Sequence, residues 1–177
     1  MSKLLVIVGS TRPTRAADLV LPWLTEKVTK HEAFDAEIVD LRDWPLPIFA
    51  EHFSTIGDVS DPTYSAPLVK AWNRKVSDGD AFIFITPEYN HSFPGVLKNA
   101  IDNVFVSWGL RNKPAGFVSY SGSPVGGARA VEQLALEVRV VDVVEVDDAE
   151  PPDAGRREVE AERGPEAASP DHEDARR

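Results

Sequence analysis

The stretch AFIFITPEYNHSFPGVLKNAIDNV, Ala81 to Val104, decides the fold. Its first six residues, Ala81–Thr86, are an unbroken apolar run of β-branched and aromatic side chains. Such a run suits a parallel strand covered by helices on both faces, since a half-exposed strand alternates instead. From Pro94 to Val106 the apolar residues return at helical spacing, with Pro94 in the first turn, where its missing N–H costs nothing. Between strand and helix lie an acid, an aromatic ring, an amide and an imidazole, flanked by two prolines. A turn and a cap need far less.

Outward from this unit the same alternation recurs. Lys3–Val8 reads as a buried parallel strand that stops at Gly9. Thr14 to about His31 has helical spacing, with Pro22 inside, where it kinks the helix or leaves one carbonyl without its donor. Ala36–Leu41 is a second strand. Arg42–Pro62 has no clear period and three aromatics, and reads as a long packed loop. A helix runs from Tyr64 to about Ser77, and Asp78–Asp80 turns the chain into the strand at Ala81. Ala115–Ser121 is a fourth strand, Gly127–Val138 a helix, and Val138–Val146 a fifth strand. The expected fold is α/β, a flavodoxin-like doubly wound parallel sheet of order 2-1-3-4-5 spanning residues 1–146. In such sheets the ligand sits beyond the carboxyl ends of the strands, where the order reverses between strands one and three.

Composition narrows the chemistry. The 177 residues suffice for one domain with a real core. There is no cysteine, which removes disulfides, zinc–thiolate sites and thiol catalysis and suits a reducing cytoplasm. No apolar run approaches the ~20 residues of a membrane span, and Lys3–Ser10 is too short for a signal sequence. The formal net charge of -10 argues against a nucleic-acid partner. His31, His52, His91 and His172 are scattered without metal-ligand spacing, and no Ser-His-Asp set can be assembled. His91 reads first as a surface residue.

The switch-point rule nominates three loops. Gly9–Arg15 (GSTRPTR) offers hydroxyls from Ser10, Thr11 and Thr14, charge from Arg12 and Arg15, and the free N–H groups of a helix start. That set suits a phosphate or other dianion; it is neither a Walker A loop nor GxGxxG. The plain alternative is a capped helix start with two solvated arginines. In Pro87–Pro94, Asn90 and the amides around Glu88 and Tyr89 can read the edge of a heterocycle. Alternatively, Ser92 or Asn90 caps the helix while Tyr89 packs. In Ser121–Gly127, Gly122, Gly126 and Gly127 let the backbone approach a flat ligand, or simply make a flexible turn. A phosphate cradle beside a slot for a flat heterocycle at this position suits FMN.

The three loops, with PEYN followed by Pro-Gly-x-x-Lys-Asn as their most specific part, resemble the NAD(P)H-dependent FMN reductases over about residues 3–136. That flavodoxin-like family includes quinone, azo-dye and chromate reductases. The resemblance implies that Ser10, Arg12 and Arg15 hold the FMN phosphate, with Thr11 in the same loop. Pro87, Glu88, Tyr89 and Asn90 would line the ribityl chain and ring, and Ser121, Gly122, Gly126 and Gly127 the ring's far side. It further implies hydride transfer from NADPH or NADH to the flavin and on to a small-molecule electron acceptor, with no protein acid–base pair. A homodimer or tetramer is the usual assembly. A flavodoxin-type electron carrier and an inactive remnant are the competing readings.

Residues 147–177 depart from this pattern. They hold 11 acids against 5 arginines, no lysine, and no Leu, Ile, Phe, Tyr, Trp or Met. Such a segment cannot bury enough apolar surface to order itself, so a disordered acidic tail is expected. Its vocabulary is that of GC-rich coding read out of frame, which suits a frameshift near Leu136; a genuine acidic tail is the alternative.

Overall fold

The computed structural model describes residues 1–138. Beyond Val138, the expected fifth strand and the tail lie outside the described residues. Four parallel strands form one sheet: β1 (Ser2–Val8), β2 (Phe34–Asp40), β3 (Ala81–Pro87) and β4 (Ala115–Tyr120), in the order β2-β1-β3-β4. This is the expected order for those four. Val8 pairs with Asp40 on one side and Ile85 on the other, and Pro87 pairs with Tyr120. All four strands therefore end along one edge, and the three nominated loops leave from it.

Five helices complete the described chain: α1 (Ala17–Thr29), α2 (Phe53–Ile56), α3 (Pro67–Asp78), α4 (Gly95–Asp102) and α5 (Ala128–Val138). The pleat sorts the strand side chains into two cores. Leu4, Val6, Val8 and Ile85 pack on Leu24 and Val28 of α1. Leu5, Ile7, Phe82 and Phe84 meet Trp72 and Val76 of α3, Leu97 and Ala100 of α4, and Leu134 of α5. Both faces of β1 and β3 are covered, which is why their sequences do not alternate.

Several boundaries differ from the sequence reading. Helix α1 starts at Ala17 rather than Thr14, because Arg15 is drawn into the loop by side-chain bonds described below. It passes through Pro22 without a break. Strand β2 ends at Asp40, whose carboxylate accepts from the Arg42 N–H and starts a short 3-10 turn at Leu41–Asp43. Helix α3 begins at Pro67 rather than Tyr64, since Tyr64 has φ of 57°. Helix α4 stops at Asp102 rather than Val106, and Val106 itself has φ of 69°. The Asn103 amide group turns back there to the carbonyls of Asn99 and Pro47.

The segment 42–62 is a packed loop interrupted by α2. Glu51 organises it: its carboxylate accepts from the Ser65 N–H and hydroxyl and from the Thr55 hydroxyl. Burial pushes the Glu51 carboxyl upward, but the bonds from Ser65 and Thr55 outweigh it and leave it below the ordinary range.

Candidate functional site

Gly9 lets β1 end close to its neighbours. A Cβ there would lie 2.7 Å from Leu97 Cδ2 and 3.0 Å from the Ile85 carbonyl oxygen. The chain then enters the first loop. Ser10 is buried, and its hydroxyl pairs with the Tyr89 hydroxyl at 3.0 Å, tying the first loop to the second. Arg12 is exposed, with its guanidinium 5.8 Å from the centre of the Tyr89 ring. Thr11 turns the other way, into a separate cleft of about 340 Å³ lined by Trp44, Leu46 and Val96.

Arg15, expected beside Arg12 on a phosphate, is held elsewhere. Its side chain is 2% exposed and its guanidinium is shared among three acceptors. It donates to Asp40 in a two-pronged pair, to Asp18 at 2.8 Å, and to the Ser10 carbonyl at 2.6 Å. Arg15 thus braces the loop against the end of β2. Arg42 adds a second brace by donating to the carbonyls of Arg12 and Pro13. The sequence reading missed Asp40, Asp18 and Arg42, which lie outside the quoted loops.

These pairings have a pH signature. Asp40 is pushed upward by burial, yet the bonds from Arg15 and the Arg42 N–H hold its carboxyl below the ordinary range. A carboxyl depressed in the folded state stabilises the protein above the unfolded-state value, near 4, and that contribution is lost as pH falls through the lower folded value. Glu51 acts in the same direction. The urea midpoint is therefore expected to stay flat from pH 8 to about 5 and to fall steeply only below about 4. A steady decline between pH 7 and 5.5 would contradict this account.

In the second loop Tyr89 and Ser92 exchange backbone hydrogen bonds of 2.7 and 3.0 Å across a two-residue turn. The central residues, Asn90 (φ 51°) and His91 (φ 64°), are both left-handed, as a type I′ turn requires. Asn is among the non-glycine residues that tolerate this region best. Asn90 therefore stands exposed at the tip of a tight turn. Neither it nor Ser92 caps α4, which starts after Pro94 with no side-chain cap. Glu88 N–H donates to the Tyr120 carbonyl and prolongs the β3–β4 pairing by one step.

In the third loop Gly126 and Gly127 have φ of 60° and 92°, and a Cβ on Gly127 would lie 2.9 Å from Ser119 Cβ. Only glycine fits there. A Cβ on Gly122 would meet nothing within 4 Å.

These parts surround a cleft of about 440 Å³ beyond the strand ends, lined by Arg12, Thr14, Arg15, Pro87, Glu88, Tyr89, Tyr120, Ser121 and Gly122. Among the described residues, just two buried side-chain polar atoms lack a hydrogen-bond partner: Glu88 Oε2 and the Tyr120 hydroxyl. Both belong to residues lining this cleft. The Ala17 N–H faces the Tyr120 hydroxyl without completing a bond, and burial pushes the phenol upward. Tyr120 reads in the sequence as one more strand residue, so nothing singled it out. No group of three metal-ligating side chains exists among the described residues, and no described helix is long and apolar enough to cross a membrane.

Known proteins place the chain among relatives. An NAD(P)H-dependent FMN reductase of Schizosaccharomyces pombe is 39% identical over 132 residues, 75% of this chain and 63% of that protein. The chain thus spans slightly under two thirds of that relative. A 2-hydroxy-1,4-benzoquinone reductase of a Burkholderia species is 30% identical over 145 residues, covering 80% of this chain and 73% of the other. Among solved structures, FerB from Paracoccus denitrificans, a flavoenzyme NAD(P)H:(acceptor) oxidoreductase, aligns with a TM-score of 0.65 at 24% identity, over 84% of this chain and 78% of that one. At that identity the likeness concerns the fold. The family model for NADPH-dependent FMN reductases matches residues 2–153, and by that match the chain belongs to the NADPH-dependent FMN reductase family.

Proposed function

We propose that the chain binds FMN in the cleft beyond the strand ends and works as an NAD(P)H-dependent oxidoreductase on quinone-like or flavin acceptors. The observation that carries this reading is the cleft of about 440 Å³ beyond the strand ends, lined by Arg12 and Tyr89 together with Ser121 and Gly122. The open approach at Gly122 suits a flat ring, and the relatives' names supply the activity.

Bound FMN supplies hydride acceptance and donation; the chain supplies position and polarity. Arg12 offers the phosphate its charge, since it makes no carboxylate pair among the described residues and stands over Tyr89 at the cleft. Ser10 contributes from the same loop, while Arg15 fixes the Ser10 carbonyl and so the loop's shape; Thr11, which lines the separate cleft, is left out of the cradle. Pro87, Glu88, Tyr89 and Asn90 hold one side of the ring and ribityl chain. Ser121, Gly122, Gly126 and Gly127 form the other. No side chain is needed as a general acid, because water reaches the open cleft. A homodimer or tetramer in the cytoplasm completes the reading. Its support is an exposed apolar stretch in which Ile48 is 87% and Phe53 75% accessible.

The test is the visible spectrum of the purified chain mixed with FMN and then, without oxygen, with NADPH. Flavin retained on the protein and bleached by NADPH is expected. Flavin retained but never bleached would favour a one-electron carrier, and failure to retain FMN would overturn the reading.

A further inference from the structure

A second cleft lies on the other side of the first loop and takes no part in the reading above. It measures about 340 Å³; Thr11 lines it, while Arg12, the next residue, lines the larger cleft. Its outer wall is the turn that follows β2. There the Leu46 N–H donates to the Trp44 carbonyl at 2.7 Å across Pro45. The Trp44 ring is held edge-on against the buried Trp72. Asn99 pins the turn to α4. Its amide nitrogen donates to the Pro47 carbonyl at 3.0 Å and the Leu46 carbonyl at 3.4 Å, and its oxygen accepts from the Phe49 N–H at 2.8 Å. A long loop tied down at so many points holds its shape, and such loops more often serve a binding purpose than a connecting one.

The lining has two parts. Trp44, Leu46 and Val96 supply an apolar wall that includes one aromatic ring. Arg42 is the single charged residue in the lining, with no acid beside it there, and Thr11 adds a hydroxyl. Arg42 gives Nη1 to Asp18 and Nη2 to the carbonyls of Arg12 and Pro13, yet its side chain stays 32% exposed. Its charge is thus fixed at the cleft by neighbours that do not enclose it. An apolar slot with one cation and one hydroxyl suits a flat hydrophobic group that carries an anionic oxygen. The volume is at the small end of ligand pockets, about 300–1,000 Å³, so one or two rings fill it. We infer that this cleft is a second small-molecule site, for a one- or two-ring aromatic group bearing a carboxylate or phosphate. Two sources share that chemistry: a free aromatic acid, and the adenosine-phosphate end of a dinucleotide cosubstrate. Only the second source rests on the reductase reading above.

Titration calorimetry on the full chain tests this without any turnover. The probes are 2-naphthoate and adenosine 2′,5′-bisphosphate, each a flat ring system with an anion. Saturable binding of at least one probe is expected, both with and without saturating FMN, because the two clefts are separate. Val96→Phe puts a ring into the cleft from α4 and leaves the lining of the larger cleft untouched. It is expected to abolish the binding. Arg42→Met removes the charge and should weaken the probe about 10-fold. Rising salt should weaken it in wild type and much less in R42M.

Failure of wild type to bind either probe would overturn the inference, and that arm does not depend on any variant folding. Binding that V96F leaves unchanged would also overturn it, since the probe then sits elsewhere. Naphthoate binding without bisphosphate binding supports the site and assigns it to a free aromatic acid. Bisphosphate binding that NADPH competes away supports it and assigns it to the cosubstrate. A chain that retains no FMN but binds naphthoate in the V96F-sensitive manner defeats the flavin reading and leaves this inference standing, so the two failures are distinguishable.

Discussion

Arg15→Met is expected to lower the stability of the chain by about 3 kcal/mol and to weaken flavin retention at the same time. The substitution keeps most of the volume and removes the charge. It leaves Asp40 half-enclosed without its two-pronged partner and the Ser10 carbonyl without its donor. Removing one member of a buried pair commonly costs about 3–5 kcal/mol, and the solvent-facing edge of Asp40 puts this case at the low end. Urea unfolding reads the cost as a shift of midpoint at constant slope. Two comparisons sharpen it. Asp18→Asn, on an exposed partner, should leave the midpoint nearly unchanged. Combining Arg15→Met with Asp40→Leu should recover much of the loss, because no uncompensated charge remains. An Arg15→Met protein as stable as wild type would show that the brace contributes nothing.

Trp72→Ala should cost about 4 kcal/mol. The indole is 2% exposed in the larger core, and its ring N–H donates to the Ala100 carbonyl at 2.7 Å. It also meets Trp44 edge-on, with centroids 5.1 Å apart. One side chain on α3 therefore holds both α4 and the segment after β2. Its removal opens a cavity and takes away a bond at the last turn of α4, so both the packing loss and the polar loss apply. Trp72→Phe keeps most of the ring and should lose only about 1–2 kcal/mol, chiefly the hydrogen bond. If the two variants unfold at the same urea concentration, packing around the indole is not what secures α4.

The contrast between these residues shows what the sequence makes legible. Strands β1 and β3 are visible because burial on both faces leaves continuous apolar runs, and the alternation with helices then restricts the sheet order. The three loops are visible because polar and glycine-rich residues cluster right after those runs. Arg15 is a different matter. Its type and position are those of a phosphate ligand, and only Asp40, 25 residues later, turns it into a brace. The bond between Ser10 and Tyr89 spans 79 residues, and nothing local in either neighbourhood announces it. Tyr120 looks like core, and its orphaned hydroxyl emerges only when the lining of the cleft is known. Helix ends depart from the apolar spacing where side chains compete for the backbone, as Asn103 does at the end of α4, or where single residues adopt left-handed backbone, as Tyr64 and Val106 do.

The parallel pairing around β1 also sets a schedule for synthesis. Leu4 of β1 lies beside Ala81 of β3, and the Lys3 N–H bonds the Asp80 carboxylate, a separation of 77 residues. At translation rates of about 5–20 residues per second, β1 waits roughly 4–15 s for that partner to be made. During that interval its Leu-Leu-Val-Ile-Val run has at most β2 beside it, and its second edge stays open. Sheets closed by such distant pairings form slowly even in a finished chain. Of the four described strands, β1 is thus the first to be made and among the last to be fully covered, which makes it the segment where chaperones and misassembly compete.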